Sequence, residues 1–204
     1  RKIVVPVKPP NTIQPGIAAK GSVILNTANP GSYYGKHITL NGSASQLDGE
    51  KVILSVPPGG TVQNNVHGPL VEINYDVEPP PEVNVDFQEI ENYARSTDSG
   101  AIVNSDLTWD NGIPSQYRDK SIIFVKGNVT INASISLNSS LTIVATGNIT
   151  VNGHPSFDLK KDGIELNLLS GANLTVNGQV KTSADGCKSF FYSEDNMVFN
   201  GHPS

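Results

Sequence analysis

Asn128-Val-Thr-Ile-Asn132, Asn148-Ile-Thr-Val-Asn152-Gly153, Asn173-Leu-Thr-Val-Asn177-Gly178 and Asn196-Met-Val-Phe-Asn200-Gly201 are one motif written four times. The closing asparagines fall 20, 25 and 23 positions apart. A second apolar run precedes each later copy: Leu141-Thr-Ile-Val-Ala145, Ile164-Glu-Leu-Asn-Leu168 and Phe190-Phe-Tyr192. The trailing residues recur as well, since Gly153-His-Pro-Ser156 returns as Gly201-His-Pro-Ser204. Short strands and Asn-Gly corners at such a period predict an all-β fold, a β-solenoid (β-helix) of short stacked coils. Coils stacked at about 4.8 Å let every strand hydrogen-bond to its counterparts above and below. Alternate apolar residues then fill the axis and the threonine between them faces solvent. Asparagine and glycine tolerate left-handed backbone at the corners, and stacked asparagines can bond in ladders along the axis. The competing fold is a β-sandwich with chance similarity among its strands; the near-constant period favours the solenoid.

Outward from this core the pattern weakens. Gly21-Ser-Val-Ile-Leu-Asn26, His37-Ile-Thr-Leu-Asn41-Gly42 and Lys51-Val-Ile-Leu-Ser-Val56 are strands of the same character, the last stopped by Pro57-Pro58-Gly59-Gly60. Residues 1–20 carry Pro6, Pro9, Pro10 and Pro15 and read as an extended leader rather than a core element. Residues 21–204 then form one solenoid domain, interrupted at 57–118 by a linker and a helix. In that interruption Pro79-Pro80-Pro81 is a stiff connector, and Asp86-Phe-Gln-Glu89 is a capping box opening a helix through about Arg95. Phe87, Ile90, Tyr93 and Ala94 share one face of it. The expected task of this helix is to cover a solenoid edge or open end, which would otherwise expose unpaired backbone groups.

Composition narrows the function. Of 204 residues, 14 are Lys or Arg and 19 Asp or Glu, a net charge of −5, and no basic cluster occurs. That argues against a nucleic-acid footprint. Charged residues make up only 16%, while asparagine alone occurs 21 times, which points to a secreted surface protein. No run of 18 apolar residues is present, so this stretch contains no helical membrane span. A single cysteine, Cys187, excludes an internal disulfide framework and a thiolate zinc site, and reads as a small buried hydrophobe.

The residues that could carry chemistry are few. His37, His67, His154 and His202 show no ligand spacing, and the last two sit before proline in a turn. Asp48-Gly-Glu50, Asp110-Asn-Gly112 and Asp162-Gly163 lack the alternating oxygen ligands of a calcium loop and read as ordinary turns. Glycoside hydrolysis wants two placed carboxylates, yet Glu165 stands alone on the repeat strands. Trp109, the one tryptophan, with Asp106 and Asp110 forms the single carboxylate–aromatic cluster, the candidate contact for a carbohydrate or a partner. No catalytic, cofactor or metal residues are assigned. Six Asn-x-Ser/Thr sequons, at Asn41, Asn128, Asn132, Asn138, Asn148 and Asn173, follow from the repeat itself.

The order of Lys20-Gly-Ser-Val, a proline-rich linker, a short Asp- and Tyr-containing helix, then Gly-Asn-Val-Thr-Ile and Gly-Asn-Ile-Thr-Val-Asn-Gly resembles the ectodomains of PilX-type pilus-assembly proteins. Phe191-Tyr-Ser-Glu-Asp-Asn-Met-Val-Phe-Asn-Gly201 looks like the segment of that family where one coil ends and another follows. The resemblance implies a non-enzymatic bacterial surface protein: a minor-pilin-like component acting in type IV pilus assembly or adhesion. It further implies other pilus or surface proteins, or glycans, as partners, and attachment to the membrane through an apolar helix upstream of Arg1. A further coil is expected after Ser204. Two alternatives remain: a self-polymerising scaffold of the bactofilin kind, and a carbohydrate-active β-helix enzyme.

Overall fold

The structure, a computed structural model, describes residues 16–28, 31–43, 49–66, 68–79, 85–153, 157–178, 180–182 and 185–200. The first block of strands is β1 (Ile17–Ala19), β2 (Ser22–Leu25), β3 (Gly31–Tyr34), β4 (His37–Leu40), β5 (Val52–Ser55), β6 (Thr61–Asn64) and β7 (Val71–Asn74). Helix α1 (Phe87–Ser96) follows. The second block opens with β8 (Gly100–Val103), β9 (Leu107–Trp109), β10 (Ile122–Val125), β11 (Val129–Ile131), β12 (Ile135–Leu137), β13 (Leu141–Ala145) and β14 (Ile149–Val151). It closes with β15 (Phe157–Leu159), β16 (Glu165–Ser170), β17 (Leu174–Val176), β18 (Val180–Thr182), β19 (Lys188–Ser193) and β20 (Met197–Phe199).

All the strand pairings are parallel and build a β-solenoid. A nine-stranded sheet runs β7-β5-β3-β1-β19-β16-β13-β10-β8, an eight-stranded sheet runs β6-β4-β2-β20-β17-β14-β11-β9, and β12-β15-β18 make a short third wall. The described residues of 121–200 stack as the repeat predicts. The second and fourth residues of each five-residue motif point into the axis: Val129, Ile131, Ile149, Val151, Leu174, Val176, Met197 and Phe199 are at most 1% exposed. Removing each such side chain from water contributes about 1.5–3 kcal/mol.

The stacking order departs from the chain order. The coil that sits on β19 and β20 is β1 and β2, with Ile17 opposite Phe191 and Val23 opposite Met197. The place expected for a coil beyond Ser204 is thus filled by this chain's own residues 17–25. Ile17, Ala18 and Ala19, expected in an extended leader, are buried, because a three-residue strand after Pro15 needs no helical backbone and completes the stack. The rest of that leader, residues 1–15, lies outside the described residues.

The interruption is shorter than the proline content suggests. Within 57–118, β6 pairs with β4, β7 with β5, β8 with β10 and β9 with β11, and the described residues 75–79 and 85–99 stand outside the stack; Pro80 and Pro81 of the expected stiff connector lie outside the described residues. This segment connects β7 to β8, the two edge strands of the nine-stranded sheet. Eight inter-strand steps of about 4.8 Å make that return about 38 Å long. Its described parts, 75–79 and 85–99, act as a strap laid along the outer face of the sheet. In α1, Asp86 caps the first turn by accepting from the Glu89 backbone N–H at 3.0 Å. Phe87, Ile90, Tyr93 and Ala94, with Val77 and Val85 of the strap, pack on Ile122, Phe124, Val144, Leu169, Tyr192, Ala18 and Tyr34. The helix therefore covers a side face rather than an open end. Glu91 fastens it, reaching Lys126 at 2.7 Å and Arg95 at 2.5 Å. The Lys126 and Arg95 hydrogen bonds hold its carboxyl below the usual range.

Candidate functional site

Alternation along β11 places Val129 and Ile131 inside, so Asn128, Thr130 and Asn132 must face out. Register repeats this choice in every coil of the eight-stranded sheet. Its outer face is therefore three parallel columns.

The middle column reads Thr108, Thr130, Thr150, Thr175, Val198, Ile24, Thr39 and Gln63, each in register with the next. One flanking column reads Asp110, Asn132, Asn152, Asn177, Asn200, Asn26, Asn41 and Asn65. In it each amide Nδ2 donates to the Oδ1 of the preceding member, at 2.7, 2.8, 2.8, 2.6, 2.6, 3.0 and 2.7 Å. The other flank reads Asp106, Asn128, Asn148, Asn173 and Asn196, continued by Ser22, His37 and Thr61. Here the side-chain oxygens of Asp106, Asn128, Asn148 and Asn196 also accept the next coil's backbone N–H, as with Asn128 to Asp106 at 2.7 Å and Asn148 to Asn128 at 2.9 Å. Ser22 N–H donates to Asn196 Oδ1 at 3.0 Å, and His37 Nδ1 lies 2.9 Å from Thr61 Oγ1.

These ladders shape the corners. A Cβ on Gly147 would stand 2.5 Å from Asn128 Oδ1, and one on Gly127 would collide with Asp106 Oδ1. The glycine before each of these ladder asparagines is there to let the neighbouring coil's side chain through.

The carboxylate–aromatic cluster resolves into ladder and core. Asp106-Leu-Thr-Trp-Asp110 is a further copy of the Asn-x-Thr-x-Asn motif with both asparagines replaced by aspartate. Asp106 and Asp110 are exposed and start the two ladders, accepting from Asn128 and Asn132. The backbone N–H and then the side-chain amide of Asn128 hold the Asp106 carboxyl below the usual range. Trp109 takes the inward position at 1% exposure, packed against Tyr117 with ring centroids 6.4 Å apart. It has no ring face to offer a sugar. Its Nε1 is the one buried side-chain polar atom without a hydrogen-bond partner among the described residues.

The remaining candidates disperse. His37 stands on the outer face just described, and His67, His154 and His202 lie outside the described residues. Cys187 is partly buried with its Sγ 3.3 Å from the Lys161 carbonyl oxygen. Asp162 Oδ1 accepts from the Asp185 N–H at 3.1 Å, a bond between stacked turns; Asp48 lies outside the described residues. Among the described residues no three His, Cys, Asp or Glu side chains group as a metal site, and no helix is long and apolar enough to cross a membrane. Five of the sequon asparagines, Asn41, Asn128, Asn132, Asn148 and Asn173, spend Nδ2 in the ladders. Asn138 alone sits in an exposed turn, between β12 and β13.

Sequence reasoning turned the repeat's threonines outward but passed over the motif copies at Asp106–Asp110 and Thr61–Asn65, and with them the extent of the column. The signal was present: Asp106–Asp110, Ser22–Asn26 and His37–Asn41 keep the spacing of polar, apolar, middle, apolar, polar, and Thr61–Asn65 departs from it only at Asn64. Searching for that pattern instead of for asparagine would have found the whole face. No protein-family model, curated protein or solved structure matches the chain.

Proposed function

We propose that the chain is a non-enzymatic extracellular module: the soluble ectodomain of a type IV pilus-associated, minor-pilin-like component acting in pilus assembly or adhesion. One observation carries the reading, the outer face of the eight-stranded sheet, which none of the described residues covers. A long surface of repeated polar side chains, locked to one another by ladders, suits docking of something extended and offers little to a small substrate. Asp106 and Asp110, the pair an acid–base enzyme would draw on, are each engaged as ladder acceptors. In the native host, immunogold labelling should put the protein on pili, and deleting its gene should lower pilus number or surface attachment. Protein found only in the cytoplasm, with normal piliation in the deletion strain, would overturn it.

A self-polymerising scaffold has one feature in its favour. The edges of β6 and β7 pair with no further strand among the described residues, and α1 packs near β8 and β10, away from them. The ladders stand against head-to-tail stacking. Every amide donates toward the β8–β9 end, so a following copy must offer an N–H to Asn65, and its Asp110 has none. Long fibres of the purified chain in electron micrographs would favour the scaffold. Release of reducing ends from a polysaccharide would favour a carbohydrate-active enzyme instead.

A further inference from the structure

We propose that the outer face of the eight-stranded sheet binds ice, holding a lattice of ordered water on its threonine and asparagine columns. The inference goes beyond the pilus reading and does not rest on it.

The argument begins with periodicity. Parallel coils repeat at about 4.8 Å along the axis, and outward side chains two residues apart repeat at about 6.6–7 Å across it. The three columns thus form a rectangular array of hydroxyls, methyls and amides, with repeats of the size that separates surface oxygens in hexagonal ice. A many-stranded sheet normally twists; side-chain ladders are among the few things that keep one flat. This face has a ladder along one flank through every coil from Asp110 to Asn65.

Rigidity is the second point. Threonine is stiff at χ1, and the asparagine amides are already tied to their neighbours. Ordering water against them costs little side-chain entropy, which is the advantage of a preorganised surface. Each hydroxyl or amide contact with water is weak, and many repeated at one spacing add up as multivalent contacts do.

Charge is the third. The three columns contain no lysine or arginine, and no carboxylate apart from Asp106 and Asp110 at one end, in a chain with 14 Lys or Arg and 19 Asp or Glu. Ions hold their own hydration shells and break a water lattice; this face leaves them out. A crystalline polysaccharide has comparable repeats, but sugars are gripped by exposed Trp, Tyr or Phe rings, and none of these stands in the three columns. Val198 and Ile24 keep methyls in the middle column without its hydroxyl.

The test uses the purified full chain in a nanolitre osmometer, reading ice-crystal shape and thermal hysteresis, with folding followed by circular dichroism. The wild type and Ser136→Lys, a control on the exposed side of β12, should both facet ice and depress its growth temperature. Thr150→Lys should lose both effects while melting as the wild type does, and Thr130→Lys repeats the test should Thr150→Lys fold poorly. Val198→Thr should widen the hysteresis gap. A folded wild type that leaves ice crystals as unshaped discs overturns the proposal. So does equal loss in Ser136→Lys. Binding to powdered chitin or cellulose through Thr150, without any effect on ice, would reassign the face to polysaccharide.

Discussion

The nine-stranded and eight-stranded sheets share one core, one coil spacing and the same alternation, yet their outer faces have opposite fates. On the nine-stranded sheet the outward row runs Ile102, Phe124, Val144, Leu169, Tyr192, Ala18 and Tyr34, in register from strand to strand. That row is apolar, and the strap formed by residues 75–79 and 85–99 packs over it. The matching row on the eight-stranded sheet is mostly threonine, flanked by ladders, and nothing in the described chain covers it. One row of outward positions decides which face becomes interior and which is left for a ligand. The strap is placed by hydrophobic demand, not by the solenoid's ends.

The contrast is sharpest at paired sites. Phe124→Ala, beneath the strap, removes a side chain only 1% exposed and should destabilise by about 3–5 kcal/mol in urea unfolding. Thr130→Ala, at the equivalent outward place on the other sheet, should cost no more than about 0.5 kcal/mol. Comparable losses at the two sites would break the distinction. Within the uncovered face, Asn152→Ala removes two ladder bonds, Asn152 to Asn132 and Asn177 to Asn152, each 2.8 Å. At about 1 kcal/mol net each, the expected loss is about 2 kcal/mol. Asn65→Ala, at the ladder's last member, removes one such bond and should cost about half as much. Equal costs in the middle and at the end would mean that the ladders carry no stability.

The smallest effect concerns pH. The hydrogen bonds from Asn128 lower the Asp106 carboxyl in the folded chain. Its contribution is present above the ordinary carboxylate range near pH 4 and disappears as pH falls through the lowered folded value. Asp106→Asn keeps an acceptor but cannot titrate, so its melting temperature should fall less steeply between neutral and acid pH than the wild type's. Superimposable acid limbs would show that the charge at the start of this ladder is idle.

Much of this was legible before any coordinates. Asn-Val-Thr-Ile-Asn states its own geometry: apolar residues in, threonine out, asparagine at the corner, the next coil one period on. The cap and buried face of α1 were equally plain, because Asp86, Glu89, Phe87 and Ile90 are local signals. What stayed hidden was long-range. Periodicity says that coils stack but not which coil meets which when the chain leaves the stack and returns. Nothing local in Ile17-Ala-Ala19 says that it completes the coil over Phe191-Tyr-Ser193. The Trp109 cluster misled for a related reason. Sequence adjacency puts Asp106, Trp109 and Asp110 together, while strand alternation sends Trp109 to the core and the two aspartates to the surface.

The junction between the blocks also sets an order of events in folding. Within residues 100–200 each ladder bond closes a loop of 20, 22, 23 or 25 residues, as from Asn132 to Asn152 or Asn196 to Asn173. The bonds that join the blocks, Asn26 to Asn200 and Ser22 to Asn196, each span 174 residues. Contacts so distant in sequence are the slowest to form, since the entropy of closing the chain is lost before they contribute. Each block can zip coil upon coil by itself, as repeat arrays do. During synthesis residues 17–25 emerge long before residues 188–200, the surface on which they will lie, exist. The coil made early is the one whose neighbour arrives last, and until then Ile17, Val23 and Leu25 stand at an exposed strand edge, the most aggregation-prone point in the life of the chain.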